Sequence, residues 1–275
     1  MSTDPRVWFD ATAERMLQER GTTPDLEVVG DLDVFQRDKR RRMLDWLASR
    51  PVAGRRILEV GCGAAGNLRF LHGQGARVEG ADIAPKMIDV AGRLNVARGI
   101  DFPLHVIDGS HLPHQDGSVD VVLTVTALQH NHDGPQLGDL VHDIARVIRP
   151  GGEAWIVEGV HRERSVHRQS VHRLAPEYTR MFEDAGLRQV DYWALYHHYP
   201  QWMARWQQLS TASKRLLLRS SGRDLHDEHH YLRRFGDGAT LDGLASRGLF
   251  ALSRVADSLH RASDALGFFT FRKPG

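Results

Sequence analysis

The stretch Ile57-Leu58-Glu59-Val60-Gly61-Cys62-Gly63-Ala64-Ala65-Gly66-Asn67, followed by Asp82 at the end of the next apolar run, decides the fold. An apolar strand runs into a glycine-rich turn and a helix follows. A second strand, Val78 to Ala81, then ends in an acid. Glycines let the backbone turn sharply and approach a ligand closely. The first turn of the helix offers N–H groups that have no partner within the helix. A carboxylate at the tip of the second strand accepts hydrogen bonds from both hydroxyls of a ribose. The pattern is that of a βαβ unit holding an adenosine-containing small molecule.

Two such ligands compete. Gly61-x-Gly63-x-x-Gly66 meets the dinucleotide fingerprint, with Asp82 near the expected offset. That reading makes the chain a nicotinamide-dependent oxidoreductase. Glu59 speaks against it, because a carboxylate beside the loop repels a pyrophosphate. A ligand without phosphate and with cationic groups is favoured there instead. At these residues the chain resembles the class I S-adenosylmethionine-dependent methyltransferases. Their first motif, acid-x-Gly-x-Gly-x-Gly, is matched by Glu59, Gly61 and Gly63, while its third glycine falls on Ala65 with Gly66 next. Further matches follow in order. Val106-Ile107-Asp108-Gly109-Ser110 closes a third apolar run. Asp116-Gly117-Ser118 feeds a fourth strand, Val119 to Thr124. Arg149-Pro150-Gly151-Gly152 links a helix ending near Val147 to a strand from Glu153 to Glu158.

The resemblance covers residues 55–160. It implies an α/β, Rossmann-like three-layer sandwich with a mostly parallel seven-stranded sheet and an antiparallel edge strand. It also implies S-adenosyl-L-methionine as cofactor and S-adenosyl-L-homocysteine as product. The cofactor contacts it implies come from Glu59, Gly61, Cys62, Gly63, Asn67, Asp82, Ile83, Asp108, Gly109, Ser110 and Thr124. Asp82 takes the ribose hydroxyls and Asp108 the adenine amino group. A protein of this fold that only binds is the remaining alternative.

Composition bounds the rest. The charge is nearly balanced, 36 basic against 35 acidic residues, which disfavours a nucleic-acid partner. The single cysteine, Cys62, excludes a disulfide within the chain and suits a reducing, cytoplasmic setting. No apolar run approaches the ~18 residues of a membrane span. The first residues, with Asp4, Asp10 and Glu14, lack the form of a signal peptide. His226-Asp227-Glu228-His229-His230 resembles a metal cluster in composition only, since adjacent histidines diverge on a helix. No metal ligands are assigned. Magnesium stays open, because its oxygen ligands leave no compact signature.

Four parts are expected along the chain. Residues 1–52 form two helices around a break at Gly21 to Pro24, the second carrying the basic run Lys39 to Arg42. Residues 53–198 form the cofactor-binding core, with a helix from Pro176 to Ala185 and a strand from Leu187 to Tyr196. Residues 199–264 form a helical insertion, which is a pocket cap, an interface between copies of a homo-oligomer, or a membrane-contacting face. It carries Trp202 and Trp206 on one side and, over 200–262, ten Lys/Arg against six Asp/Glu. Residues 265–275 supply the last strand.

In this family the sulfonium activates the methyl group, so the protein must place a nucleophile in line with it. A hydroxyl nucleophile benefits from a base, for which histidine is suited near neutral pH. Leu128-Gln129-His130-Asn131-His132 follows the fourth strand, making His130 the first candidate and His132 the second. His161, Arg164 and His167, after the fifth strand, are the candidates for binding an anionic substrate. Thr124-Val125-Thr126-Ala127 replaces the Asn/Asp-Pro-Pro-aromatic tetrapeptide of enzymes that methylate amide or adenine nitrogens. The expected reaction is oxygen methylation of a hydroxylated small molecule, a sugar or secondary metabolite. Nitrogen and carbon acceptors stay open.

Overall fold

The structure is a computed structural model that describes residues 4–20, 34–132, 134–167, 170–196 and 264–275. The chain divides into two compact units. One is Met1–Val29, Met43–Leu195 and Ala265–Gly275, and the other is Gly30–Arg42 and Tyr196–Asp264. Of the second unit, the described residues are 34–42 with Tyr196 and Asp264. The 199–263 part of the expected insertion, with Trp202, Trp206 and His226 to His230, lies outside the described residues. The body of the main sheet and the candidate site belong to the first unit.

The elements in chain order are α1 (Pro5–Arg20), α2 (Val34–Ala48), β1 (Arg56–Val60), α3 (Gly66–Gly73), β2 (Arg77–Asp82), α4 (Pro85–Ala97), β3 (Leu104–Val106) and β4 (Val119–Val125). They continue with α5 (Pro135–Val147), β5 (Ile148–His161), β6 (Ser165–Val166), β7 (Val171–His172), α6 (Ala175–Asp184), β8 (Arg188–Tyr196) and β9 (Asp264–Arg272). The main sheet has seven strands in the order β3-β2-β1-β4-β5-β9-β8. β3, β2, β1, β4 and β5 are mutually parallel. β9 runs antiparallel to β5, as the reciprocal bonds Gly151 N to Lys273 O and Lys273 N to Gly152 O require. The order reverses at β1/β4, the switch point where ligands enter such sheets.

Period-two alternation sends side chains to two cores. Leu58, Val60, Val122, Ile156, Phe269 and Phe271 pack with α5 and α6. Ile57, Val121, Leu123, Trp155, Val157 and Phe268 pack with α3 and with Met43, Trp46 and Leu47 of α2. A register shift between Val119 and Val121 lets Val119 share a face with Val122. Gly80 allows the close approach of α3 to β2, because a Cβ there would meet Leu68 and Cys62 at 2.8 and 2.9 Å. The C-terminal carbonyls of α5 find a donor from far along the chain. Lys273 Nζ bonds Ala145 O and Ile148 O, both at 2.8 Å.

α1 lies outside these layers. Ala13 and Met16 pack on Met87, Val90 and Leu94 of α4 and on Ala64 and Ala84 of the two ligand-side loops. Asp10 accepts the Lys86 N–H at 3.0 Å, and Glu14 pairs with the Lys86 ammonium. α1 is thereby fixed across the mouth of the β1–α3 and β2–α4 turns. No described helix is long and apolar enough to cross a membrane.

Candidate functional site

The glycine loop is built from left-handed backbone. Gly61, Gly63 and Ala65 have φ of 76°, 51° and 60°. Gly61 N and Cys62 N bond Ala81 O at 2.8 and 3.1 Å, and Gly63 N bonds Asp82 Oδ2 at 2.8 Å. The loop is therefore strapped to the end of β2. Arg69, buried in α3, donates to Ala64 O and to Asn95 Oδ1, supporting the loop from behind. The glycine spacing does not reveal this support. A Cβ on Gly61 would lie 2.4 Å from Ala127 Cβ. Neither atom can rotate away, and the φ is unfavourable for alanine. Gly61→Ala is expected to cost about 1 kcal/mol in backbone conformation and about 1–3 kcal/mol in overlap. The urea midpoint should fall accordingly, and an unchanged midpoint would show that the β4 turn yields.

Two carboxylates stand in this loop. Glu59 is 1% exposed and accepts from Asn67 Nδ2 at 2.7 Å, which locks it toward α3. Asp82 is 6% exposed, and its Oδ1 accepts the Ala84 N–H at 2.9 Å. Burial raises its pKa, against the pull of the Ala84 and Gly63 N–H groups. Burial first, then the charges of Asp82 and Glu59, push the Cys62 thiol well up, so it is inert as a nucleophile.

The adjacent wall comes from the β3 end. Asp108 Oδ1 accepts the Ser110 and His111 N–H groups at 2.7 and 2.8 Å, and Oδ2 faces His111 Nδ1 at 3.1 Å. These bonds, the His111 N–H foremost, hold its carboxyl down to about 2. Gly109, at φ 91°, is crowded: a Cβ there would meet Gln136 Nε2 at 2.8 Å and Ile83 Cδ1 at 3.1 Å. Gln136 also donates to Asp108 O at 3.0 Å. It thus joins the start of α5 to this loop, a role the sequence pattern does not signal. The fold brings Ile83, Asp108, Gly109 and Ser110 together beside Asp82. Thr124 is 0% exposed, paired with Val60 and Ile156 on the neighbouring strands. Two residues on, Thr126 has φ 50° and is exposed. The strand simply runs further before it opens.

After β4 the chain makes a short 3-10 turn, Leu128–His130, and this turn is clamped at both ends. Glu158, 0% exposed on β5, accepts the N–H groups of Ala127, Leu128 and Gln129 at 2.9, 2.8 and 3.2 Å. Arg173, 1% exposed, donates to Leu128 O at 3.0 Å and Asn131 O at 2.6 Å. Burial pushes the Glu158 carboxyl up to about 7, against those three N–H groups and the Arg173 charge. Neither residue is marked by a motif; both act through tertiary placement. His130 sits on the clamped turn. Trp8 stacks on its ring at 6.1 Å between centroids and Phe9 meets it edge-on at 5.1 Å. Gln129 Nε2 lies 3.4 Å from His130 Nε2. His132 is exposed just beyond.

The histidines after β5 gather on the β6–β7 hairpin. His161 and His172 stack at 3.8 Å, 2° from parallel, with His167 at 4.2 Å from His172. Ser165 Oγ bridges His167 Nε2 and His172 Nδ1 at 3.0 and 3.2 Å. Gly159 keeps this group close to the clamped turn, since a Cβ there would meet Gln129 Oε1 at 2.8 Å and His161 Nε2 at 3.3 Å. Arg164 Nε donates to Glu177 Oε1 at 3.0 Å, at the N-terminus of α6.

Comparison with known proteins bears on this geometry. Residues 57–152, from β1 into β5, match the family model described as a methyltransferase domain. The chain is 30% identical over 139 residues to 24-methylenesterol C-methyltransferase 2 of Oryza sativa subsp. japonica, covering 48% of this chain and 37% of that protein. It is 32% identical over 114 residues to the ubiquinone biosynthesis O-methyltransferase of Ralstonia nicotianae, covering 41% and 47%. The chain thus spans less than half the length of these two relatives. A crystal structure of a putative sarcosine dimethylglycine methyltransferase from Galdieria sulphuraria superposes with a TM-score of 0.61 at 18% identity, over 96% of this chain and 99% of that one. At that identity the likeness is one of fold. The matched segment begins on the strand that carries Glu59 and ends on the Pro-Gly-Gly turn, and by that agreement residues 57–152 carry a methyltransferase domain of the kind found in the class I S-adenosylmethionine-dependent methyltransferases.

Proposed function

We propose that this protein transfers a methyl group from S-adenosyl-L-methionine to a hydroxyl of a small molecule, releasing S-adenosyl-L-homocysteine. The observation that carries the cofactor is the pair of buried acids, Glu59 and Asp82, one on each side of the glycine loop. Two carboxylates there disfavour a pyrophosphate and offset the ammonium and sulfonium charges of this cofactor. Asp82 already holds the loop through Gly63 N–H and keeps further acceptor capacity for a ribose. Ile83 and Gly109 form the flat wall for the base, and Asp108 bounds its edge. When bound, the cofactor supplies a methyl group activated by the sulfonium.

The protein's own work is placement and proton removal. The clamp of Glu158 and Arg173 holds His130 at the end of β4, facing Trp8 and Phe9 of α1. A base with aromatic rings packed beside it suits a ring-bearing hydroxyl compound. His130 takes the hydroxyl proton as the oxygen attacks. His161 and His167 are assigned to the acceptor, and His132 to the mouth. The rice relative, a sterol C-methyltransferase by name, favours a carbon acceptor as the second reading.

Calorimetric titration with S-adenosyl-L-methionine, S-adenosyl-L-homocysteine and NAD tests the cofactor. Transfer of labelled methyl to a panel of phenols, glycosides and sterols then tests the acceptor class. Saturable binding of NAD with none of the other two would sink the proposal. Asp82→Ala removes the acceptor of two loop N–H groups and of the ribose. Hydrogen bonds to a charged group are worth about 1.5–3 kcal/mol, so cofactor affinity should fall at least tenfold. Unchanged affinity would remove Asp82 from the site.

A further inference from the structure

Away from the glycine loop, three side chains from separate elements converge near the β3 edge of the sheet. Glu79 lies on β2, His105 on β3 and His114 in the segment before β4; one ligand atom from each lies within 4.8 Å of the others. His114 Nε2 is 3.1 Å from Glu79 Oε2, and His105 Nε2 is 3.6 Å from the same oxygen. The His114 side chain is 2% exposed and that of Glu79 13%. At 3.6 Å the His105 contact is not a hydrogen bond. His105 Nε2 is a buried atom with no hydrogen-bond partner.

We propose that Glu79, His105 and His114 form a binding site for a divalent transition-metal ion of the zinc class. The geometry fits. Zinc bonds to nitrogen and oxygen of about 2.0–2.2 Å in a tetrahedron place neighbouring ligand atoms about 3.3–3.5 Å apart, between the two separations seen here. The donor set of two imidazoles and one carboxylate is a known zinc set, with a fourth position left to water. Arg56 Nε occupies the other carboxylate oxygen, Oε1, at 2.5 Å and so leaves Oε2 to the ion.

On binding, each neutral imidazole donates the lone pair of its Nε2 with its single ring proton held on Nδ1, so no net proton is released. Glu79 precedes Asp82 by three residues, roughly 10 Å along a strand, so this ion stands apart from the methyl-transfer chemistry. The segment between His105 and His114 contains Asp108 to Ser110. An ion gripping both ends closes that segment into a short loop on the sheet edge.

The test uses the full chain, stripped with a chelator and titrated with zinc chloride. Wild type should bind one more equivalent, at micromolar or better affinity, than His105→Ala; zinc taken up by other histidines is common to both proteins. Zinc at a hundredfold excess over its dissociation constant should raise the wild-type unfolding temperature by roughly 5 °C or more and leave His105→Ala nearly unmoved. Cobalt(II) should give the intense visible absorption of a tetrahedral site, lost in Glu79→Gln. Equal stoichiometry and equal thermal shift in wild type and His105→Ala would overturn the proposal. So would a wild-type cobalt spectrum without that absorption, whatever the variants do.

Discussion

Glu158→Ala should destabilise the protein by roughly 3 kcal/mol or more, the largest stability loss expected of any single substitution at this site. Three backbone N–H groups, those of Ala127, Leu128 and Gln129, lose the carboxylate they share in a fully buried setting. Each unsatisfied donor costs about 1–3 kcal/mol, and Arg173 loses the acid it faces. Turnover should fall with stability, because the turn that carries His130 would no longer be held. Glu158→Gln separates the two effects. An amide accepts through its oxygen but presents a donor where Gln129 N–H needs an acceptor, so it rescues only part of the loss.

The same carboxyl makes a pH prediction. Its folded pKa is pushed up to about 7 from an ordinary 4.5, so the folded protein holds the proton where the unfolded chain has released it. Its contribution is therefore fully present below pH 4.5 and is lost as pH rises through 7. The whole shift corresponds to on the order of 3 kcal/mol. The stability advantage of wild type over Glu158→Gln should shrink between pH 4.5 and 7, read from paired urea titrations. An advantage that grows with pH would show that the three N–H groups outweigh burial and that the acid is ionised throughout.

The parts of this molecule that sequence makes legible are those whose cause is local. Gly61, Gly63 and Asp82 could be read because a left-handed turn and a strand-end acid demand particular residue types at fixed spacing. The helix–strand alternation from α3 to β5 could be read because periodicity and the Pro-Gly-Gly turn are local too. Glu158 and Arg173 could not, because each matters only through a turn 30 or more residues away. Gln136, and Trp8 against His130, are of the same kind. Glu79, His105 and His114 are spread over β2, β3 and a loop, so no spacing rule unites them. The end of β4 was less legible, because the apolar run stops at Thr124 whereas the backbone opens at Thr126, where φ turns positive. The partner of Arg164, the N-terminal acid of α6, was not legible either, because charge alone does not reveal it.

His130→Ala should lower turnover by at least a hundredfold with cofactor affinity nearly unchanged, since general-base help is worth about 10²–10⁴ in rate. The local hydrogen bonding supports the base. Gln129 Nε2 lies 3.4 Å from His130 Nε2, and in the tautomer with the ring proton on Nδ1 the Nε2 lone pair accepts from it. The separation is long, so an incoming hydroxyl displaces Gln129 at little cost. His130 also packs against the Trp8–Phe9 pair, and truncation forfeits aromatic contacts worth about 0.5–1.5 kcal/mol. His130→Phe decides which role matters. It keeps a ring against Trp8 but has no nitrogen to take a proton. If His130 is the base, His130→Phe should be as slow as His130→Ala, and the alkaline-rising limb of the wild-type rate profile should vanish in both. If His130→Phe recovers most of the turnover, the ring serves as a wall that seats the acceptor. His132 would then be tested next as the base, followed by His161 and His167, since these follow the same ends of β4 and β5.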